Sequence, residues 1–110
     1  MIAGGAGLLP VVVTFRIGGR QLQGETTQID PNGMFIVTEA PAKRDAFIEL
    51  DVPLRDAQGR VAVQKCTATV RWVAQDVGRA PPNGFYAEIM SFRNPRGRGI
   101  YEDYVRRANA

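Results

Sequence analysis

The chain has 110 residues, of which 45% are apolar and 23% charged, and this size and composition indicate one globular domain with a single core. It contains no histidine and a single cysteine, Cys66, so it lacks the commonest general base and cannot form an internal disulfide. One thiol without histidine also cannot build a zinc site. We therefore expect no catalytic residues, no bound metal and no resident cofactor, and a protein that is not an enzyme.

The sequence shows neither a membrane span nor a signal peptide. No apolar run approaches the roughly 20 residues that a transmembrane helix needs. Residues 1–10 lack the basic start and the length of a signal peptide, and Met1 favours a complete small chain. These small, glycine-rich and uncharged residues are expected to form a flexible N-terminal arm before a single domain over residues 11–108. We expect a cytoplasmic protein without membrane insertion.

Alternating apolar residues predict six short strands in chain order. In the first, Val11, Val13, Phe15 and Ile17 share one face, and the following Gly18-Gly19 is a hairpin signal that returns the chain antiparallel. The predicted strands cover residues 11–17, 20–29, 34–38, 46–52, 61–72 and 84–90. Pro53 is expected to help end the fourth strand, because proline cannot donate to a sheet ladder.

The fifth strand changes phase along its length. Val61 and Val63 are odd-numbered, whereas the later apolar residues, Cys66 and Trp72 among them, are even-numbered. A β-bulge near Gln64-Lys65 would reconcile the two halves. On this interpretation Trp72 belongs to the core and Cys66 is a buried, inert thiol.

A helix is predicted from near Gly99 to the C-terminal end. Ile100 and Tyr104, like Tyr101 and Val105, lie four residues apart, so together they form one apolar stripe that should pack on the strands or on a partner. Six short strands followed by one helix indicate an all-β fold, a small six-stranded antiparallel barrel with a C-terminal α-helix.

The corner between the second and third strands has strong turn chemistry. In Asp30-Pro31-Asn32-Gly33, Pro31 pre-sets φ at the first central position and Asn32 tolerates the left-handed region. Gly33 completes the turn, and we expect it to lie in the left-handed region or otherwise where a Cβ atom is penalised.

The polar positions Gln28, Asp30 and Gly33, followed by an apolar strand, resemble the second signature of the PilZ family, an Asp/Asn-x-Ser-x-x-Gly turn. Two later segments add to the resemblance, Val-Arg-Trp-Val at residues 70–73 and a glycine followed by an apolar strand at residues 84–89. The resemblance covers almost the whole chain and implies a PilZ-like barrel.

The PilZ resemblance also implies a ligand, because this family binds cyclic di-GMP with the turn and with an Arg-x-x-x-Arg segment ahead of the first strand. This chain departs from the pattern: Gln28 replaces Asp or Asn, Asp30 replaces Ser, and residues 1–10 contain no arginine. If Asp30 faces the phosphates, repulsion at about 4 Å costs on the order of 4 kcal/mol, a loss of about a thousandfold.

Arginines elsewhere remain candidate phosphate ligands. Arg16 and Arg20 fit Arg-x-x-x-Arg, but they flank the first hairpin instead of preceding the first strand. The net charge of +3 arises in residues 91–110, which hold five arginines, Arg96 and Arg98 among them, against two acidic residues. This tail could hold an anionic ligand, RNA or an acidic partner surface.

These observations favour a non-catalytic, PilZ-like bacterial signalling module. The preferred hypothesis is a protein–protein adaptor in a cyclic di-GMP, motility or envelope pathway, with a degenerate nucleotide site and a protein partner. The alternative is a direct cyclic di-GMP receptor with an altered site, built from Gln28, Asp30 and Gly33 with arginines of the hairpin or tail. An RNA-binding small barrel is a weaker alternative, since it would require exposed aromatic residues interleaved with the basic ones.

Overall fold

The computed structural model describes residues 7–40, 42–74 and 83–110. These residues contain the strands β1 (Val11–Ile17), β2 (Arg20–Asp30), β3 (Gly33–Val37), β4 (Phe47–Arg55), β5 (Val61–Ala74) and β6 (Gly84–Phe92), and the helix α1 (Gly97–Ala108). All paired strands are antiparallel and close into a barrel in the order β1-β2-β3-β6-β5-β4. The predicted fold is confirmed: it is a small six-stranded antiparallel barrel with a C-terminal helix.

The core fills the barrel with alternate residues of each strand, as the sequence pattern predicts. At its centre Phe15 of β1 meets Phe85 of β6 edge to face, with ring centroids 5.2 Å apart. The apolar stripe of α1 extends this core, because Tyr101, Tyr104 and Val105 are buried. Ile100, at the edge of the stripe, stays 36% exposed.

Helix α1 begins two residues earlier than predicted, at Gly97. The side chain of Asn94 accepts a hydrogen bond from the backbone N–H of Arg96, the N-cap residue. Gly97 weakens helix propensity, but packing requires it: a Cβ atom there would lie 2.7 Å from Cβ of Phe92. A tertiary contact therefore outweighs the local preference that argued for a later start.

The prediction that Pro53 helps to end the fourth strand is wrong. β4 continues to Arg55, with Pro53 opposite Val63 of β5. β1 pairs with β4 only between Glu49 and Asp51, so the other edge of β4 is open at Pro53. A proline is tolerated there because no neighbouring strand needs its backbone donor.

The predicted bulge at Gln64-Lys65 is also wrong, since β5 pairs with β4 without interruption up to Thr69. The register shifts occur against β6, between Thr67 and Ala68 and again between Val70 and Trp72. The second shift turns Trp72 outwards, where it is 49% exposed, and corrects the prediction that it belongs to the core.

Two sequence predictions fall partly or wholly on residues that the structure leaves undescribed. The flexible arm was predicted for residues 1–10, of which residues 1–6 lie outside the described ranges. Within the remainder, Leu8 and Leu9 pack against the core, and the Tyr104 hydroxyl donates a hydrogen bond to the carbonyl of Leu8. The sequence also predicts a loop at residues 76–83 from its glycine and prolines, and of these only Asn83 lies within the described ranges.

Candidate functional site

The β2–β3 corner is a two-residue hairpin in which Asp30 lies opposite Gly33. Oδ1 of Asp30 accepts hydrogen bonds from the backbone N–H groups of Asn32, at 2.7 Å, and Gly33, at 3.0 Å. This is an Asx-type turn, in which the side chain replaces a backbone acceptor. The first role of the Asp30 carboxylate is therefore to build the turn that presents it.

Two tyrosines tie this corner to the rest of the barrel. The Tyr86 hydroxyl on β6 donates to the Asp30 carboxylate, with its oxygen 2.8 Å from Oδ2. The Tyr101 hydroxyl on α1 lies 2.9 Å from the Asp30 carbonyl oxygen and 2.7 Å from that of Gly33. Burial, and then the nearby Asp30 carboxylate, raise the pKa of both tyrosines, so both hydroxyls remain protonated donors at neutral pH. Asp30 is thus committed to internal hydrogen bonds.

Gly33 is required by a close approach between strands. Neither Asn32 nor Gly33 has a positive φ, so the expectation of a left-handed conformation at this turn is wrong. A Cβ atom at Gly33 would lie 2.1 Å from the carbonyl oxygen of Ala87 on β6, which is backbone and cannot swing away. The position penalises a Cβ for a steric reason and not a conformational one.

A row of three aromatic rings on β3, β5 and β6 lies next to this corner, and Trp72 is its exposed member. Trp72 stacks on Phe35 with centroids 5.2 Å apart, and on Tyr86 at 5.9 Å with the two ring planes 3° apart. Phe35 is buried beneath, and Gln28 lies exposed opposite it on β2. We call Phe35, Trp72 and Tyr86 the aromatic row.

The aromatic row could not be predicted from the strict alternation of buried and exposed residues. Counting every second residue from Cys66 places Trp72 inside the barrel, and only the bulge at Arg71 reverses its direction. Arg71 is the extra residue of that bulge and forms an ion pair with Glu88 on the outer surface. We find no local sequence signal that marks this bulge.

The first two candidate arginines lie away from the corner. Arg20 begins β2 and Asp30 ends it, so the two are roughly 30 Å apart along the strand. Arg16 on β1 is engaged by Glu49 and by Asp51, whose carboxylate oxygens lie 3.2 and 2.9 Å from its guanidinium nitrogens. These hydrogen bonds raise the pKa of Arg16, and the same contact lowers the pKa of Asp51.

The other two candidates lie at the start of α1. The guanidinium carbon of Arg98 is 5.2 Å from the ring centroid of Phe92, a cation–π contact. Arg96 instead lines a groove between α1 and the β4–β5 hairpin. Within the described ranges, no arginine forms an ion pair or hydrogen bond with the Asp30 carboxylate. The structure therefore brings Gln28, Asp30 and Gly33 together at the β2–β3 corner.

Other chemistry is sparse in the part of the chain that the structure describes. No group of three or more histidine, cysteine, aspartate and glutamate side chains there could hold a metal ion. Burial raises the pKa of Cys66 to about 12, so its thiol is protonated at neutral pH. Among the described helices, none is long and apolar enough to cross a bilayer.

Comparison with known proteins finds a structural similarity but no sequence family. No protein-family model matches the chain, and no curated protein matches it by sequence. The solved structure of the Bacillus subtilis inhibitor of motility MotI/DgrA is similar, with a TM-score of 0.71 and 13% sequence identity. The match covers 90% of this chain and 46% of that one, so this chain spans about half its length. At such low identity the likeness shows a common fold.

Proposed function

We propose that this protein is a non-catalytic, cytoplasmic PilZ-like signalling module that acts as a protein–protein adaptor in a cyclic di-GMP, motility or envelope pathway. Two observations support the class: the PilZ-like barrel, which resembles the structure of an inhibitor of motility, and the sequence of the β2–β3 corner. The proposed pathway rests on these two similarities alone. The choice of adaptor over nucleotide receptor comes from the corner itself.

The observation that carries the proposal is the engagement of the Asp30 carboxylate. It accepts hydrogen bonds from two backbone N–H groups and from Tyr86. A rotation of the carboxylate away from a bound phosphate would break these hydrogen bonds and disrupt the turn. Left in place, it repels a phosphate by the several kcal/mol expected for like charges at contact distance. Among the residues that the structure describes, no arginine is bound to the Asp30 carboxylate to offset that repulsion.

The test is a cyclic di-GMP titration of the full chain. A ligand at 100 times its dissociation constant stabilises the native state by about 2.7 kcal/mol, which raises Tm by roughly 10 °C for a domain of this size. At about 100 μM cyclic di-GMP, a receptor of micromolar affinity would show that shift. We expect less than about 2 °C.

Variants decide what a large shift would mean. A shift that disappears in Gln28→Ala or Asp30→Ala would overturn the adaptor proposal and make the corner a working nucleotide site. A shift lost only in the Arg96→Ala/Arg98→Ala variant would move the site to the tail. An Asp30→Ser variant, which restores the family residue, separates the effect of the carboxylate from that of the missing arginine arm.

The second candidate function is a cyclic di-GMP receptor with an altered site, and the aromatic row is the observation that favours it. Trp72 is half-exposed beside the corner, and a purine ring can stack on such a surface. Trp72 is the only tryptophan, so its fluorescence reports directly on this surface. The receptor function would be supported if cyclic di-GMP quenches Trp72 fluorescence and Tyr86→Ala abolishes this quenching. The control is Phe47→Ala, which removes an exposed aromatic residue elsewhere and should retain the quenching.

A further inference from the structure

The end of the β4–β5 hairpin projects beyond the barrel wall. β1 pairs with β4 only as far as Asp51, and β6 pairs with β5 only from Cys66 onwards. Beyond these points β4 and β5 continue as a pair to Arg55 and Val61. Val61, Ala62 and Val63 are consequently all exposed, although consecutive strand residues face opposite sides. The end of the projecting hairpin is therefore open to solvent and partly apolar, whereas Leu54 on its inner face is only 3% exposed.

One face of the projecting hairpin and α1 enclose a groove of about 670 Å³. Its apolar lining comes from Leu54, Ala62, Pro95 and Ile100. Arg107 of α1 contacts both walls, since its Nη2 donates to the Arg55 carbonyl at 2.7 Å and its Nε pairs with Asp103 at 2.9 Å. Arg107 therefore joins the two walls of the groove.

The groove carries excess positive charge once the ion pairs within the protein are taken into account. Asp56 is paired with Arg60, and Asp103 with both Arg106 and Arg107. Arg55 and Arg96 also line the groove, and their guanidinium groups make no ion pair or hydrogen bond within the described ranges. Both residues are exposed. The groove thus combines an apolar floor, two carboxylates paired with arginines, and two positive charges that have no partner among the described residues.

We infer that this groove, lined by Leu54, Ile100, Arg55 and Arg96, binds an acidic amphipathic segment of a partner protein. Carboxylates of the segment meet the two free guanidinium groups while its apolar side chains cover the floor, the usual division between a charged rim and an apolar centre. The inference rests on the proposed adaptor function and names the surface and the chemistry of its partner.

The lining favours a protein over a nucleic acid. Single-stranded nucleic acids are held by positive charges that follow the backbone and by aromatic side chains on which bases stack. Among the described residues that line this groove none is aromatic, so it offers no ring on which a base could stack. A peptide instead buries apolar side chains against Ile100 and places its acidic groups selectively.

The experiment selects peptides from a random library displayed on phage, using the full chain as bait, and measures the affinity of labelled synthetic winners by fluorescence anisotropy. Selected peptides should combine aspartate or glutamate with apolar residues. Their affinity should fall at least about tenfold in Arg55→Glu/Arg96→Glu, which replaces two attractive pairs by repulsive ones. The matched control is Arg20→Glu/Arg44→Glu, two exposed arginines outside the groove, which should bind normally. Ile100→Ser tests the apolar floor, and thermal unfolding confirms that each variant folds.

Three outcomes would overturn the inference. If acidic peptides bind equally well to Arg55→Glu/Arg96→Glu, the adaptor function stands and the groove is not its surface. If no acidic, apolar peptide is enriched, the assigned chemistry is wrong. If a labelled single-stranded uridine oligonucleotide binds and is released by the same double variant, the groove is a phosphate-binding surface. The cyclic di-GMP titration tests the adaptor function separately, so the two failures are distinguishable.

Discussion

Replacing Gly33 by alanine tests the reason for the glycine at the β2–β3 corner. The new Cβ would lie 2.1 Å from the Ala87 carbonyl oxygen and 3.0 Å from Cα of Glu88. Both are backbone atoms of β6, held by pairing with β3 and β5, so relief requires the two strands to separate. Overpacking of this kind costs typically 1–3 kcal/mol, against which the lower unfolded-state entropy of alanine returns about 0.4–1 kcal/mol.

The expected net loss for Gly33→Ala is about 1–2 kcal/mol, or a fall in Tm of roughly 4–15 °C. Urea unfolding followed by Trp72 fluorescence measures it, with circular dichroism as a second probe. Gly33→Asn distinguishes a steric cause from a conformational one, because asparagine tolerates a left-handed φ better than alanine but has a larger side chain. A steric cause predicts that the asparagine variant is at least as unstable as the alanine variant.

Gly99→Ala is the matched control. Gly99 lies within α1, has no positive φ, and a Cβ atom there would meet nothing within 4 Å. Alanine should therefore stabilise the helix by up to about 1 kcal/mol. An unfolding midpoint for Gly33→Ala equal to that of the wild type would refute the steric argument. Rescue by asparagine would restore the left-handed interpretation.

Tyr101→Phe keeps the ring but removes the hydroxyl that donates to the Asp30 and Gly33 carbonyl oxygens. The free energy of unfolding in urea should fall by about 1–3 kcal/mol, and an unchanged urea midpoint would contradict this expectation. Tyr104→Ala empties a buried aromatic site and should cost about 3–5 kcal/mol; a smaller loss would mean that α1 packs loosely. Arg16 holds the pKa of Asp51 low, so the stability from this pair is complete above about pH 4 and lost as pH falls through the folded-state pKa. Asp51→Asn should reduce the loss of stability below about pH 4. If the wild type and the variant show identical dependence of the urea midpoint on pH, the Arg16–Asp51 pair does not contribute to stability as argued.

The number and order of the elements follow from the sequence by itself. Alternation marks the six strands, Gly18-Gly19 marks the first hairpin, and the spacing of Tyr101, Tyr104 and Val105 marks the buried face of the helix. These features are readable because each depends on residues a few positions apart. The polar corner was found in the same way, and Gln28, Asp30 and Gly33 do meet there.

The chemistry of that corner was decided by partners distant in the chain. Asp30 became a structural acceptor because folding brings Tyr86, 56 positions later, to its carboxylate. Gly33 is needed because β6 passes close to it at Ala87, and no turn rule contains that contact. A local pattern names the residues of a site, but charge and steric demand depend on what the barrel places opposite them.

The surfaces offered for binding were also set by tertiary structure. A bulge against β6 turns Trp72 out of the barrel, and the end of the β4–β5 hairpin is exposed because β1 and β6 stop pairing before it. Alternation reports only that successive side chains point to opposite faces. Which face is inside at each point depends on where neighbouring strands begin, end and shift register, and closure of the barrel fixes all three.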